Sequence, residues 1–268
     1  MLNQPPPFDN VNLFSTDTAL QDAVRREGGD ETGLEAFGAL AGSRHMLEQA
    51  RVANENLPKL RRFDARGDRL DQVEYHPAYH ALMAASTAQG LHCRRGVGRA
   101  AGFYMAAQME AGHCCPVTMT KASVPVVRQA TGIAEDWLKR ILVRDYDPAF
   151  RPAPEKRAVT VGMAMTERQG GSDVRANLTE AEPAGGGDYL VTGHKWFMSA
   201  PMSDAFLVLA QAQGKSPGGL SCFFMPRFLP DGTVNAIRLQ RLKDKCGNRS
   251  NASSEVEFDR AHAWLVGG

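Results

Sequence analysis

Residues 163–172 read Met163-Ala-Met-Thr-Glu-Arg-Gln-Gly-Gly-Ser172 and follow a segment whose Val and Met residues predict a β-strand. Two adjacent glycines let a backbone approach an anionic group closely, and successive N–H groups in such a turn can form a concave nest. The hydroxyls of Thr166 and Ser172 supply further hydrogen-bond donors. The combination suits a pyrophosphate bound at the end of a strand.

A second informative stretch, Gly193-His-Lys-Trp-Phe-Met-Ser199, lies farther along the chain. Phe197 and Met198 offer an aromatic ring and a thioether that can back a flat ring, and Ser199 can hydrogen-bond the edge of that ring. Alone, the first stretch is more typical of an ordinary glycine turn, and the second of a protein core. The first stretch is also not a P-loop, because no Gly-Lys-Ser/Thr follows. Only the two stretches together indicate a cofactor site.

Composition limits the classes of function. The chain has 268 residues, of which 43% are hydrophobic and 23% charged, and its formal net charge is +1. These values are typical of a globular protein and give no electrostatic footprint for nucleic acid. We identify no signal peptide, membrane span or metal-binding motif. Five cysteines without a C-x-x-C pair predict buried, reduced thiols in a cytoplasmic protein.

The first half of the chain has the periodicity of helices. Asp17 predicts the N-cap of a first helix with Leu20 and Val24 on its apolar stripe, and the glycines at 28–29 end that helix. Before it, residues 1–16 predict an extended arm. Further helices are predicted near residues 34–41, 78–90, 98–111 and 134–144, with a turn or small hairpin at 61–75.

After Pro152 and Pro154 the period of the apolar residues changes to two. The predicted strands are Arg157–Met165, Tyr189–Thr192, Lys195–Ser199, Ala205–Ala210, Leu220–Met225 and Glu255–Phe258. Gly185–Asp188 predicts a hairpin turn. Helices followed by strands predict an α+β protein, with a helical domain at residues 1–155 and a β-barrel or β-sandwich domain at residues 156–268.

The two cofactor-like stretches resemble the flavin-binding segments of the acyl-CoA dehydrogenase family. That family has Thr-Glu-x-x-x-Gly-Ser-Asp where this chain has residues 166–173, and an aromatic-Ile-Thr/Ser tripeptide where it has residues 197–199. The resemblance implies that Thr166 contacts the flavin ring and Ser172 the pyrophosphate of FAD. The FAD-binding residues predicted in this way are Met163, Ala164, Met165, Thr166, Gly170, Gly171, Ser172, Phe197, Met198 and Ser199.

The resemblance extends along most of the chain and is strongest to the AidB-like, alkylation-response branch of the family. It is carried by Asn3-Gln-Pro, Asn10-Val-Asn-Leu-Phe, His113-Cys-Cys-Pro-Val-Thr-Met-Thr120, Gly218–Gly232 and Arg241–Ser253. It implies FAD as cofactor, an acyl-CoA or related substrate, and a homotetramer. Contact with DNA belongs, in that branch, to a C-terminal helical domain. The segment around Cys115 is expected at a domain interface near the flavin.

Two departures from the family pattern affect the expected activity. Where acyl-CoA dehydrogenases usually carry Ser-Asp-Thr-Arg, whose charged residues help to hold the CoA end of the substrate, this chain has Asn251, Ala252, Ser253 and Ser254. The chain also ends at Gly267-Gly268, before the helical domain that supplies the glutamate base in the family. We therefore expect a truncated flavoprotein with little or no dehydrogenase activity of its own.

No residue is predicted to act as the catalytic base. Glu167 lies beside the predicted site, but its position at a strand end favours a role in orienting the turn or in pairing with Lys195 or Arg168.

Three alternatives to the truncated flavoprotein remain at this point. The chain is a complete dehydrogenase, a nucleic-acid-associated protein that protects against alkylation and whose DNA-binding part is missing, or a scaffold that binds no flavin.

Overall fold

The computed structural model describes residues 3–130, 132–213 and 219–267, so that Gly218 and Gly268, which belong to the stretches quoted above, lie outside them. Within these residues the helices are α1 (Thr18–Arg26), α2 (Leu34–Ala41), α3 (Arg44–Glu55), α4 (Pro77–Ala88), α5 (Gly96–Met109), α6 (Cys114–Val127) and α7 (Ala134–Ile141). Local signals set several helix starts. Asp17 accepts a hydrogen bond from the Leu20 N–H at 2.9 Å, and Ser43 accepts one from Met46 at 3.2 Å. Both are N-caps that satisfy an otherwise free N–H group.

The arm that precedes α1 docks on α2. The Val11 N–H donates to the Gly42 carbonyl and the Leu13 N–H to the Gly38 carbonyl, and Phe14 is buried. A Cβ at Gly42 would lie 1.8 Å from the Val11 oxygen, so this docking requires a glycine there. The predicted arm therefore joins the helical core, which is centred on Leu34, Phe37, Leu82 and Met105 among others.

The structure adds two helices that we did not predict, α3 and α6. In α6, Pro116 and Pro125 obscured the helical pattern. Pro116 lies in the first turn, where a missing N–H leaves no intrahelical hydrogen bond unmade, and Pro125 lies near the other end. The helix matters for the candidate site because it packs against the first strand of the barrel, described below.

The strands are β1 (Lys59–Phe63), β2 (Arg69–Glu74), β3 (Val161–Ala164), β4 (Glu180–Gly185), β5 (Asp188–Ser199), β6 (Ala205–Ala212), β7 (Leu220–Pro226), β8 (Ile237–Leu242) and β9 (Ser253–Val266). β1 and β2 form the predicted hairpin, and the other seven form one mixed sheet. This sheet closes on itself, because β5 pairs with β9, β9 with β7, β7 with β6, and β6 with both β3 and β4, which pair with β5. The α+β class, with helices first and a barrel after them, is confirmed.

The barrel differs from the prediction in its details. Tyr189–Thr192 and Lys195–Ser199 belong to one continuous strand, β5, which passes through Gly193 with a register shift. β4 was not predicted, since Pro183 and a lack of β-branched residues hide it. β8 was not predicted either, although its buried Ile237 and Leu239 alternate with polar residues. The predicted hairpin turn at Gly185–Asp188 is confirmed.

A buried interior holds the barrel and connects it to the helices. Phe206 and Phe223 are fully buried, and a Cβ at Gly162 would lie 2.7 Å from the Phe206 ring. The β1–β2 hairpin packs on β8, where the Leu239 N–H donates to Asp71 at 3.0 Å. On the other side, Thr120 of α6 accepts a hydrogen bond from the Val161 N–H of β3 at 3.1 Å. The contact with Thr120 holds the first residue of β3, the strand whose other end leads into the Gly-rich stretch.

The N-cap of α1 leads to a simple prediction about stability. We expect Asp17→Ala to lower the free energy of unfolding by about 1 kcal/mol, because the Leu20 N–H then loses its acceptor. Asp22→Ala is the matched control on the same helix. Its side chain is 76% exposed and lies 3.6 Å from Arg25, so we expect a change below about 0.5 kcal/mol. Chemical denaturation measures both, and equal effects would contradict the capping role.

Candidate functional site

The two stretches singled out in the sequence lie side by side in the structure. Met163 pairs with Ser199 and Ala164 with Met198 across the antiparallel β3–β5 ladder. Two residues beyond this pair on each strand, the Trp196 N–H donates to the Thr166 carbonyl at 2.8 Å. Since a strand rises about 3.3 Å per residue, Thr166 and Ser199 lie about 10 Å apart along one ladder. A single elongated ligand can span them.

The predicted residues do not all present their side chains to this surface. Ala164 and Met198 are completely buried inside the barrel, whereas Met165 is 37% and Phe197 45% exposed. This alternation follows from the period of two in a strand. Ala164 and Met198 can contribute only their backbone to a ligand, and Met165 with Phe197 forms the apolar face.

The Gly-rich turn folds back onto the end of β3. The Gly170 N–H donates to the Glu167 carbonyl at 3.1 Å, and Gly170 has a φ of +128°, which favours glycine. A Cβ at Gly171 would lie 2.6 Å from the Thr166 hydroxyl oxygen. Ser172 is exposed next to this contact. The structure therefore brings the Thr166 hydroxyl, the glycine backbone and the Ser172 hydroxyl to one place.

A buried carboxylate, Glu167, organises the loop that follows. Its Oε1 accepts hydrogen bonds from Lys195 Nζ at 2.7 Å and from the Thr179 hydroxyl at 2.6 Å. Its Oε2 accepts one from the Leu178 N–H at 2.7 Å. Lys195 is fully buried and Glu167 is 4% exposed. Of the two partners predicted for Glu167, Lys195 and Arg168, the structure shows Lys195. The hydrogen bonds of Glu167 also join the two ends of the loop from 167 to 179.

The electrostatics of the pair follow from its burial. Burial alone would raise the pKa of Glu167, but hydrogen bonds from the Leu178 N–H, Lys195 and Thr179 outweigh it and hold that pKa at about 2. Burial lowers the pKa of Lys195, and Glu167 opposes this effect. Glu167 is thus a fixed anion at neutral pH. A group with so low a pKa is a poor proton acceptor.

A close backbone contact connects this loop to β5. A Cβ at Gly193 would lie 2.6 Å from the Thr179 hydroxyl oxygen. Packing therefore requires a glycine at position 193, because Thr179 must approach β5 to reach Glu167. The sequence contains no signal for the role of Thr179, which is separated from Glu167 by a whole loop.

Polar groups from three elements meet at the other end of the face. Ser199 Oγ lies 2.9 Å from Ser253 Oγ of β9. Burial raises the pKa of the Cys115 thiol in α6, while the neighbouring Ser199, Lys245 and Asn251 oppose that shift. The helical part of the chain thus contributes a wall next to Ser199, as the family resemblance implied for the segment around Cys115.

Two cations lie close to the aromatic residues of β5. Lys243 Nζ is 3.3 Å from the centroid of the Trp196 ring and 4.9 Å from that of Phe197. Lys243 and Arg241 also form ion pairs with Glu255 at 2.5 and 2.6 Å. Such contacts restrict Trp196 and the adjacent Phe197. We did not predict a role for these cations from the sequence. Arg241 and Lys243 are two residues apart, a spacing that places both on one face of a strand, and this was the available signal.

The segment at 251–254 is turned inward. Asn251 and Ser254 are buried, and the Tyr79 hydroxyl donates to Asn251 Oδ1 at 3.4 Å. The Ser254 hydroxyl donates to the Met198 carbonyl at 3.1 Å. These side chains are therefore engaged within the protein, in the segment whose positions 252 and 254 are expected from the family resemblance to carry a charged pair.

A buried polar network fastens this segment to the helices. Glu110 accepts hydrogen bonds from the Ser250 hydroxyl at 2.9 Å and from Asn54 at 3.1 Å, and His113 Nδ1 lies 2.9 Å from it. Burial would raise the pKa of Glu110, but its hydrogen bonds with His113 and Asn54 hold it at about 2. The helical part and the barrel are thus connected by a charged side chain whose oxygens are fully engaged.

Among residues 3–130, 132–213 and 219–267, no helix is long and apolar enough to cross a membrane. In the same residues no group of three or more His, Cys, Asp or Glu is arranged to hold a metal ion. All five cysteines are free. Of the five, Cys114 is buried, Cys93, Cys115 and Cys222 are half-buried, and Cys246 is exposed. The expectation that the thiols are buried is therefore wrong for Cys246, which lies in an exposed turn after β8.

Two family profiles match the sequence. That of the adaptive response protein AidB N-terminal domain covers residues 3–148, and that of the acyl-CoA dehydrogenase middle domain covers residues 162–261. The chain is 51% identical to AidB of Escherichia coli (strain K12), in an alignment that covers 100% of this chain and 51% of AidB.

Two solved structures have the same fold over 99% of this chain. The apo form of Bd2924 has a TM-score of 0.82 at 29% identity, with 56% of Bd2924 covered. Caenorhabditis elegans ACDH-11, solved in complex with C11-CoA, has a TM-score of 0.84 at 25% identity, with 48% of ACDH-11 covered. The chain spans about half the length of these relatives.

The ion pair predicts a large effect of one substitution. We expect Glu167→Gln to lower the free energy of unfolding by about 3–5 kcal/mol, because Lys195 is left as a buried charge without its partner. Glu180→Gln on β4, whose side chain is exposed, is the control and changes it by less than about 0.5 kcal/mol. Urea denaturation at pH 7 compares them. An effect of Glu167→Gln no larger than that of the control would contradict the role of the pair.

The same pair predicts a pH dependence. The pKa of Glu167 is about 2 in the folded chain and about 4.3 in an unfolded one. A carboxyl whose folded pKa is depressed stabilises the protein fully above its unfolded pKa, and that stabilisation disappears as the pH falls toward the folded pKa. The gap in unfolding free energy between the original chain and Glu167→Gln therefore narrows from about pH 5 to pH 2. A gap that is constant or widens in acid would be the contrary result.

Proposed function

The chain belongs to the AidB-like branch of the acyl-CoA dehydrogenase family, and from that premise we propose that it binds FAD along the β3–β5 ladder. The observation that carries the proposal is the adjacency of the two stretches. Both stretches belong to one hydrogen-bonded ladder. Thr166, which leads into the Gly-rich turn, is three residues along the chain from Met163, the partner of Ser199. One dinucleotide can therefore reach both.

Each part of the face has a separate task in this proposal. The Ser172 hydroxyl and the backbone N–H groups of Gly170 and Gly171 hold the pyrophosphate, because donors in a concave turn attract anions. Met165 and Phe197 cover one side of the isoalloxazine ring, and the Thr166 hydroxyl and Ser199 hydrogen-bond its edge. Ala164 and Met198 support the ladder from behind, and Met163, two residues before Met165 in β3, lies on the same face as Met165.

Bound FAD supplies a hydride acceptor at this face. The residues of the chain then bind and orient the flavin, and α6 with Cys115 shields the end at Ser199 from water. Glu167 does not take a proton, since its carboxylate is paired with Lys195 and its pKa is about 2. We therefore propose that the chain by itself has little or no dehydrogenase activity.

Binding of an acyl-CoA by these residues is weak in this proposal. The positions that carry charges in most of the family are Ala252 and Ser254 here. Both are buried, and the Ser254 hydroxyl is hydrogen-bonded internally. Family membership leads us to propose also a cytoplasmic homo-oligomer that acts in the alkylation response. We propose no contact with DNA for residues 1–268. Arg61, Arg69 and Arg94, which belong to the basic clusters of the chain, form ion pairs with acidic neighbours.

Flavin titration tests the proposal. We expect the purified chain to take up FAD with its visible absorption bands, and Ser172→Ala to weaken binding about tenfold to a hundredfold, as loss of a hydrogen bond to a charged group predicts. Thr166→Val weakens it less, because the edge of the ring is uncharged.

Thr192→Val is the matched control for that titration, since Thr192 is an exposed residue of β5 outside the proposed face. Its affinity for FAD should stay within about twofold of the original chain. The absence of flavin bands after soaking in FAD, for this chain and for a longer chain that includes the following helices, would favour a flavin-free scaffold. Equal affinities for Ser172→Ala and the original chain would refute the assignment of the pyrophosphate site.

A further inference from the structure

A second pocket lies away from the proposed flavin face. It has a volume of about 300 Å³ and is formed by α7, the turn at 152–154, the segment that follows β7, and Trp264 of β9. None of the ten residues predicted to hold FAD belongs to its lining. The volume is at the lower end of the range of about 300–1,000 Å³ that small-molecule sites occupy, so its ligand must be small.

The walls of the pocket are aromatic and held in place. Trp137 packs edge-on against Phe224, with ring centroids 4.7 Å apart, and Trp264 stacks on Phe224 at 6.3 Å. Phe224 is fully buried. Phe228 adds a third aromatic side chain to the lining, together with three prolines. Two indole rings fixed by one buried phenyl ring give a rigid surface for a flat apolar group.

One cation at the pocket is positioned without a carboxylate of its own. Arg140 donates through Nη1 to the Asp136 carbonyl at 2.8 Å and through Nη2 to the Pro154 carbonyl at 3.4 Å. Asp136 also lines the pocket, but its carboxylate forms its ion pair with Lys139. Across the part of the chain that the structure describes, no carboxylate lies within ion-pair distance of Arg140. Backbone carbonyls thus orient a guanidinium whose charge is available to an anion.

We propose that this pocket binds a small planar aromatic carboxylic acid. The ring lies between Trp137, Trp264 and Phe228, and the carboxylate pairs with Arg140 at the rim. Aromatic walls alone would accept any flat apolar molecule, and the cation selects the acid among them. The inference does not depend on flavin binding, because the two sites share no residue.

The test uses the three tryptophans as reporters, since Trp137 and Trp264 line the pocket and Trp196 lies at the flavin face. Indole N–H signals of the ¹⁵N-labelled chain, assigned with Trp137→Phe and Trp264→Phe, are followed during titration with 2-naphthoate and with its neutral analogue 2-naphthamide. We expect saturable shifts of the Trp137 and Trp264 signals and none of the Trp196 signal. The acid binds more tightly than the amide.

Two neighbouring cations on α7 provide the matched variants. Arg140→Gln should weaken binding of 2-naphthoate about tenfold to a hundredfold and leave binding of 2-naphthamide unchanged, which also shows that the pocket is still folded. Lys139→Gln should leave both affinities within about twofold, because Lys139 does not line the pocket and its ion pair is at the surface. The proposal is overturned if no saturable shift occurs, if Trp196 shifts in parallel, or if Arg140→Gln binds the acid as tightly as Lys139→Gln does.

Discussion

The geometry of the candidate site depends on the buried ion pair between Glu167 and Lys195. Lys195 belongs to the middle of β5, and Glu167 follows β3, so the pair joins the two strands at the point where their ladder ends. Its other hydrogen bonds, to Leu178 and Thr179, return the loop after the Gly-rich turn to the same place. A buried charge tolerates little displacement of its partner. The buried contacts of Glu167 therefore hold the turn that presents Gly171 and Ser172, although both of these residues are exposed.

A second constraint positions the helical part against the barrel. Thr120 of α6 exchanges hydrogen bonds with the backbone of Val161, and Glu110 binds Ser250 and Asn54 together. These contacts bring Cys115 close to Ser199. The apolar face of Met165 and Phe197 therefore has a polar end, at Ser199, and an anion-attracting end, at the glycine turn. This difference along one ladder is what a molecule with a flat ring and a pyrophosphate requires.

Much of this arrangement could be predicted from the sequence, because local chemistry determines it. Asp17 caps its helix as expected. Glu167 was expected to pair with Lys195 or Arg168, and the structure shows the pair with Lys195. The α6 helix could not be recognised through its prolines, and β4 could not be recognised without β-branched residues. The role of Thr179 depends on close packing against Gly193, which has no local pattern. Strand alternation, applied to the ten predicted residues, would have indicated that Ala164 and Met198 face the interior.

The most direct measurement is a crystal structure of the chain grown with FAD. We expect the pyrophosphate within hydrogen-bond distance of the Gly171 backbone and the Ser172 hydroxyl, with the isoalloxazine ring against Phe197 and its edge near Thr166. FAD bound with its ring on a surface remote from the β3–β5 ladder, or with its phosphates away from the Gly-rich turn, would contradict the account.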